Sequence, residues 1–366
     1  MKQIGYIFTA LTLAATLLSG CDANANKTAL IYGKLLGELN VLNYEELSDK
    51  LDNGDNFLLF QTPNSNCTCW TSFRDSILKP YIIENNVRAY TIPFAEFYDS
   101  ENIKRDTFGI ALNSSSQTMA IYKNGVIKTM REYNSTHKIW TSSESFNTYI
   151  NELIITPTII DLDLAQLQSL YTKENPFSVL FYDESEASLY LKDNPLKDYA
   201  LAHLNEMETI YALQTNVEGI KLNDSGIYQD DQWQTFKDDY GLSSLNNEVF
   251  GYGDGFVPTL QYIEPNGGAT NGDVIKAQVV YFNDLLANVE VDGSYLVEDS
   301  YYTTERQSSL SYLNDFSGTA IIKGLTIPSS DTKLVGEQRV WLKEKAAVYH
   351  DPLLAAFLDY TYAMNV

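Results

Sequence analysis

The sequence predicts an α/β protein made of two consecutive domains, and three observations carry that reading. Short apolar runs of strand type, led by Phe57-Leu58-Leu59-Phe60 and Phe177-Ser178-Val179-Leu180-Phe181-Tyr182, alternate with stretches whose apolar residues recur every three or four positions. That alternation occurs on both sides of a break at Thr156-Pro157. A chain of 366 residues, 44% of them hydrophobic, is also long enough to build two separate cores.

The first twenty residues stand outside this scheme. Lys2 gives a minimal positive start, and residues 7–18 form an apolar run too short to span a bilayer. Leu18-Ser19-Gly20-Cys21 resembles a bacterial lipobox, in which the cysteine becomes the acylated N-terminus. The resemblance implies a lipoprotein signal peptide at residues 1–20, lipidation at Cys21, and an extracytoplasmic protein lipid-anchored to the cell membrane. An uncleaved anchor helix with a chance cysteine is the alternative. Residues 21–30, polar at 22–27 (DANANK), then serve as a tether. No other segment is long and apolar enough to cross a membrane.

The first domain is expected over residues 31–155. Residues 44–51 read as an amphipathic helix ended by Asn53-Gly54, and the Phe57 strand follows. A polar turn, 61–66, leads to Cys67-Thr68-Cys69-Trp70 and a helix carrying Phe73, Ile77, Tyr81 and Ile82. Residues 87–93 make a second strand and 100–108 a helix. Residues 119–122 and 126–128, joined through Asn124-Gly125, make a β-hairpin, and 143–153 a closing helix.

The second domain spans 156–366. Leu162, Leu164, Leu167 and Leu170 mark a helix, followed by the Phe177 strand. Residues 188–207 are helical, broken or kinked at Pro195. A strand at 209–213, a helix at 232–240, Val257-Pro258-Thr259 leading into a strand, a turn at 265–268 and a strand at 274–282 complete the pattern. From 283 to about 342 the pattern weakens and reads as an insertion, with a helix at 301–313 and a strand at 319–325. Residues 343–364, interrupted at His350-Asp351-Pro352, supply the last helix.

This order of elements, with cysteines directly after the first central strand, resembles the thioredoxin fold. It implies in each unit a central mixed sheet flanked by helices. The family motif is Trp-Cys-x-x-Cys, whereas this chain has Cys67-Thr68-Cys69 followed by Trp70, with Asn66 where the nucleophile of the family stands. The family keeps a cis-proline before the hairpin strand; the first unit has Ser116-Gln117-Thr118 there. The second unit has Val257-Pro258-Thr259, with Pro258 the cis candidate, but its cysteine turn reads 183–188, DESEAS, without sulfur. The two units are complementary halves of the family pattern. The resemblance implies catalysis by Cys67 and Cys69, and substrate contacts from Thr68, Trp70, Gln117, Thr118 and Pro258.

Cysteines at a strand-to-helix turn sit in the partial positive field of the helix N-terminus, which favours a reactive thiolate. With Cys21 acylated, Cys67 and Cys69 are the remaining pair, and an extracytoplasmic compartment permits a disulfide between them. An extended tripeptide holds its outer α-carbons somewhat over ~6 Å apart, near the upper limit for a disulfide, so the bond is expected to be strained and oxidising. A permanent local staple is the competing reading, although closing so small a ring removes little unfolded-state entropy. Trp70 either stacks on a client peptide or fills the core under the helix.

Metal binding by this pair needs two further ligands, and His137, His203 and His350 form no ligand-spaced cluster. Asp224, Asp230, Asp231 and Asp254 could hold calcium but do not have the spacing of a known loop; solvated loops are favoured. The glycines at 251, 253 and 255 lack the lysine of a phosphate-binding loop. No cofactor is expected. With 48 carboxylates against 25 Lys and Arg, uniform negative charge argues against nucleic acid and against charge-driven binding to anionic lipid. The expected partners are client proteins or a redox partner protein, plus the membrane through the N-terminal lipid. Two functions stay open: a thiol-disulfide oxidoreductase or isomerase acting through Cys67 and Cys69, and a non-catalytic lipoprotein that binds a peptide, solute or protein partner.

Overall fold

In the computed structural model the described residues are 26–280, without 64–66, 98–116, 185, 205–206, 217–229, 243–257 and 271–273, plus 290–291, 294–296, 332–335, 338–342 and helical pieces between 354 and 362. The signal segment, Cys21 and the elements expected at 100–108, 301–313 and 319–325 lie outside them.

The chain enters through two short strands, β1 (Thr28–Ala29) and β2 (Tyr32–Lys34). The first domain follows with β3 (Glu38–Val41), α1 (Tyr44–Asp52) and β4 (Phe57–Thr62). A continuous helical run comes next: α2 (Thr68–Phe73), a π turn at Arg74–Leu78 and α3 (Lys79–Glu84). β5 (Arg88–Pro93), β6 (Thr118–Lys123), β7 (Val126–Glu132) and α4 (Ser143–Asn151) complete the unit. Its sheet has the order β3-β5-β4-β6-β7, with β3, β5 and β4 parallel, β6 antiparallel to β4 and β7 antiparallel to β6.

β8 (Ile154–Ile155) follows α4 and pairs with β1, and the second domain then contains β9 (Ile159–Leu162), α5 (Leu164–Tyr171) and β10 (Phe177–Tyr182). After it run α6 (Glu186–Leu191), a second π turn at Lys192–Leu196, α7 (Lys197–Ala202), β11 (Ile210–Gln214), α8 (Asp230–Asp239), β12 (Thr259–Ile263) and β13 (Ile275–Val280). The order β9-β11-β10-β12-β13 repeats that of the first sheet, again with three parallel strands and two antiparallel ones. Both sheets therefore have the thioredoxin-like strand order. Within the span 283–342, β14 (Glu290–Val291), β15 (Ser294–Leu296), β16 (Thr332–Val335) and β17 (Gln338–Leu342) form a separate antiparallel sheet, β14-β15-β17-β16.

The central strands explain themselves. Phe57, Leu58, Leu59 and Phe60 are all at most 2% exposed, and every residue of β10 is buried. A strand covered on both faces reads as a continuous apolar run, and it needs helices on each side. At the β6–β7 hairpin, Asn124 (φ 53°) and Gly125 (φ 71°) take the left-handed conformations that a tight two-residue turn requires. Pro195 is absorbed by a π turn rather than ending the helix.

Two helix starts are fixed by reciprocal caps. Asn43 Oδ1 accepts the Glu46 N–H at 2.9 Å, and Glu46 Oε2 accepts the Asn43 N–H at 2.8 Å. Replacing Asn43 by Ala is expected to destabilise the protein by about 1 kcal/mol in chemical denaturation, since one backbone donor loses its acceptor. Asp163 and Gln166 make the same exchange at 2.7 and 2.9 Å.

That second cap corrects the sequence reading. Leu162 is the last residue of a strand, not the first of a helix: the buried pair Ile159-Ile160 extends β9, and Asp163 starts the helix behind it. β3 also goes unpredicted, because Glu38-Leu39-Asn40-Val41 is a half-exposed edge strand with no apolar run.

The N-terminal segment is a further correction. Thr28, Ala29 and Leu30, assigned by sequence to a tether, are at most 5% exposed. β1 pairs parallel with β8, and β2 pairs parallel with β9 as the sixth strand of the second sheet. Leu30 and Ile31 are apolar and buried, Leu30 within the first domain's core, and the flanking strands form because distant partners, β8 and β9, pair with them.

Candidate functional site

β4 delivers the chain to the cysteine turn. Cys67 is the N-cap of α2, with extended backbone (φ −79°, ψ 121°), and its Sγ accepts the Cys69 N–H at 3.3 Å. Cys67 and Cys69 form a disulfide with α-carbons 5.1 Å apart. This is well inside the usual range for disulfides. The separation expected for an extended tripeptide does not arise, because the chain already turns into the helix at Thr68. Both cysteines are half-buried and Thr68 is exposed, so solvent reaches the edge of the pair. The helical run from residue 68 to 84 points its N-terminus at the sulfurs.

The other sequence-predicted contacts are distributed differently. Trp70 is only 9% exposed; its ring packs 6.1 Å from both Phe60 and Phe73, so it fills the core under the helix rather than offering a face to a client. Gln117 and Thr118 stand at the start of β6, with Thr118 opposite Gln61 at the end of β4. Both are fully buried, and Gln117 Oε1, Gln117 Nε2 and Thr118 Oγ1 have no hydrogen-bond partner among the described residues. Substrate contact through these two side chains is therefore not what the structure displays. Covered polar atoms of this kind cost roughly 1–3 kcal/mol each when unpaired.

Pro258 is buried immediately before β12. Thr259 pairs with Phe181 as Thr118 pairs with Gln61, so Pro258 occupies in the second sheet the position of Gln117 in the first. The structure thus gathers Cys67, Thr68, Cys69 and Trp70 in one turn, sets Gln117 and Thr118 on the neighbouring strand, and leaves Pro258 to the other domain. In that domain the turn after the central strand is closed without sulfur. Ser188 Oγ donates to the Asp183 carboxylate at 2.7 Å and accepts the Asp183 N–H at 3.1 Å, with both residues buried. Among the described residues no group of three or more His, Cys, Asp and Glu is placed to hold a metal ion.

A second charged cluster lies between the domains, and sequence reasoning did not find it. Arg88 of β5 pairs with Glu38 at 2.8 Å and with Asp161 of β9 at 3.1 Å. Lys192 reaches Asp161 at 3.2 Å and donates to Tyr182 Oη at 2.9 Å. Burial works against the Lys192 ammonium, yet Asp161 and Tyr182 outweigh it and hold its pKa above the ordinary lysine value. The Arg88 guanidinium is raised in the same way, with Asp161, Tyr90 and Glu38 overriding its desolvation. Its members stand far apart in the sequence, at 38, 88, 161, 182 and 192, so no local window displays the cluster.

No family model matches this chain, and no curated protein matches it. Among solved structures it is similar to human ERp44 form I, with 8% identity and a TM-score of 0.33 over 62% of this chain and 48% of that one. It is also similar to the bb fragment of ERp72, at 14% identity and TM-score 0.30, covering 63% of this chain and 86% of that fragment. A third likeness is to ERdj5 form II, at 10% identity and TM-score 0.25 over 66% of this chain and 27% of that one. The match spans about half the length of the ERp44 chain.

Proposed function

We propose that this protein is a membrane-anchored, extracytoplasmic thiol-disulfide oxidoreductase or isomerase that acts on client protein thiols through Cys67 and Cys69. The observation that carries the reading is the half-buried Cys67–Cys69 disulfide at the N-terminus of the helix that follows the central strand of a thioredoxin-like sheet. The lipobox at Leu18-Ser19-Gly20-Cys21 supports the anchor and the compartment.

The chemistry balances as an exchange. A client thiolate attacks one sulfur of the pair; the Cys67–Cys69 bond breaks, a mixed disulfide forms, and the other cysteine leaves as thiolate. A second client thiol then displaces the mixed disulfide. The client departs with a new disulfide, and Cys67 and Cys69 keep the two electrons as a dithiol. The Cys69 N–H directed at Cys67 Sγ, together with the helix N-terminus, favours Cys67 as the thiolate.

Thiol titration with and without reductant, followed by turnover of a reduced client peptide and reduction of insulin, tests the proposal. Two thiols should appear on reduction, and Cys67→Ser and Cys69→Ser should each lower turnover by at least about 100-fold, since neither exchange step can finish with one sulfur. Absence of turnover in the parent, or turnover in both variants equal to that of the parent, supports the second reading. That reading is a non-catalytic lipoprotein of the same fold that binds a peptide, solute or protein partner at the cell surface. It is favoured by the second domain, where Asp183 and Ser188 close the equivalent turn.

A further inference from the structure

A cavity of about 460 Å³ opens between the two domains. It is bordered by the entering segment, by the end of α1 and the approach to β4, and by the second π turn and α7. Six cations line it: Lys27, Lys50, Arg88, Lys123, Lys192 and Lys197, every one of them half-buried. Among the described lining residues only Asp55 and Asp193 stand against them. The chain as a whole carries 48 acidic residues and 25 basic ones, so the charge balance here is reversed.

Part of this charge is already neutralised. Lys50 pairs with Asp55 at 3.1 Å, Arg88 and Lys192 share Asp161, and Arg88 also pairs with Glu38. Lys27, Lys123 and Lys197 have no ion-pair partner among the described residues, and the Lys123 ammonium meets only the Lys27 carbonyl, at 3.3 Å. Three half-buried ammonium groups around one cavity repel each other, and a bound anion relieves that repulsion. The size suits a small organic ligand. Leu201, 39% exposed at the rim, offers it an apolar contact.

We propose that this cavity binds a small organic polyanion, bearing phosphate or carboxylate groups, through Lys27, Lys123 and Lys197. The site is separate from Cys67 and Cys69, so binding does not depend on their redox state.

The full chain is titrated calorimetrically with inorganic pyrophosphate and with citrate, which separate a phosphate preference from a carboxylate one. One-to-one binding that weakens with added salt is expected for at least one probe. It should weaken at least ten-fold in Lys27→Gln/Lys123→Gln/Lys197→Gln, and remain unchanged in Lys128→Gln, an exposed lysine outside the cavity, and in Cys67→Ser/Cys69→Ser. If the triple variant does not fold, Lys197→Gln alone decides, with a several-fold loss. No binding of either probe, or the same affinity in the cavity variants as in the parent, overturns the proposal.

Discussion

Replacing Phe73 by Ala is expected to destabilise the protein by about 3–5 kcal/mol, more than any other single change considered for the first domain. Phe73 is 1% exposed and stands at the centre of a ring cluster. Its centroid lies 5.0 Å from Trp140, 5.4 Å from Phe146, 5.8 Å from Phe60 and 6.1 Å from Trp70. Truncation removes the transfer free energy of the ring, leaves a cavity, and breaks two edge-to-face contacts at once. Phe73→Leu keeps most of the volume and should cost roughly 1–2 kcal/mol. The same change reaches the cysteines, because Phe73 is the last residue of α2 and Cys67 is that helix's cap. Phe73→Ala should therefore make the Cys67–Cys69 disulfide react faster with a small reductant, whereas an unaltered rate would separate the core from the site. Denaturant unfolding gives the stability, and a loss below about 1 kcal/mol contradicts this account of the core.

Asp161→Ala is the second large effect, expected at about 2–4 kcal/mol. Asp161 answers two cations at once, and its side chain is 15% exposed against 24% for Arg88 and 13% for Lys192. Removing it leaves both charges mostly buried with a diminished set of acceptors, and stranding a buried charge costs far more than the net worth of its pair. Partial solvent access trims the upper end of the range. Lys192 retains Tyr182 Oη, and Arg88 retains Glu38. The decisive measurement is a cycle with Arg88→Ala: coupling of about 1 kcal/mol or more is expected between residues of different domains, and additivity within error would show that the domains are not held together here.

Some of this architecture was legible in the sequence because its cause is local. The Phe57 and Phe177 runs are apolar on both faces, and Asn124-Gly125 can hardly be anything but a tight turn, so β4, β10 and the hairpin follow directly. The cysteine turn was legible for the same reason, as a sulfur pair between a buried strand and a helical repeat. What escaped depends on distant partners. β3 has no apolar run and exists through its pairing with β5; β1 and β2 are too short to show any period and form because β8 and β9 await them. Gln117 and Thr118 were assigned by resemblance to a client surface, and Trp70 either to that surface or to the core; packing buries all three. The cationic cavity assembles lysines from positions 27 to 197, and no window of sequence displays that gathering.

The placement of β1 and β2 bears on how the molecule comes to be. Residue 28 finds its partner at residue 154, and residue 32 finds its own at 159. During synthesis the segment 28–34 is made well before residues 154–161, so its strand partners arrive only after the whole first sheet has been made. Such long-range pairing is slow to close, and a strand edge left without a neighbour is an invitation to stray association. A chain truncated before residue 150 would lack the partners of both strands, so it should aggregate more readily than the full chain.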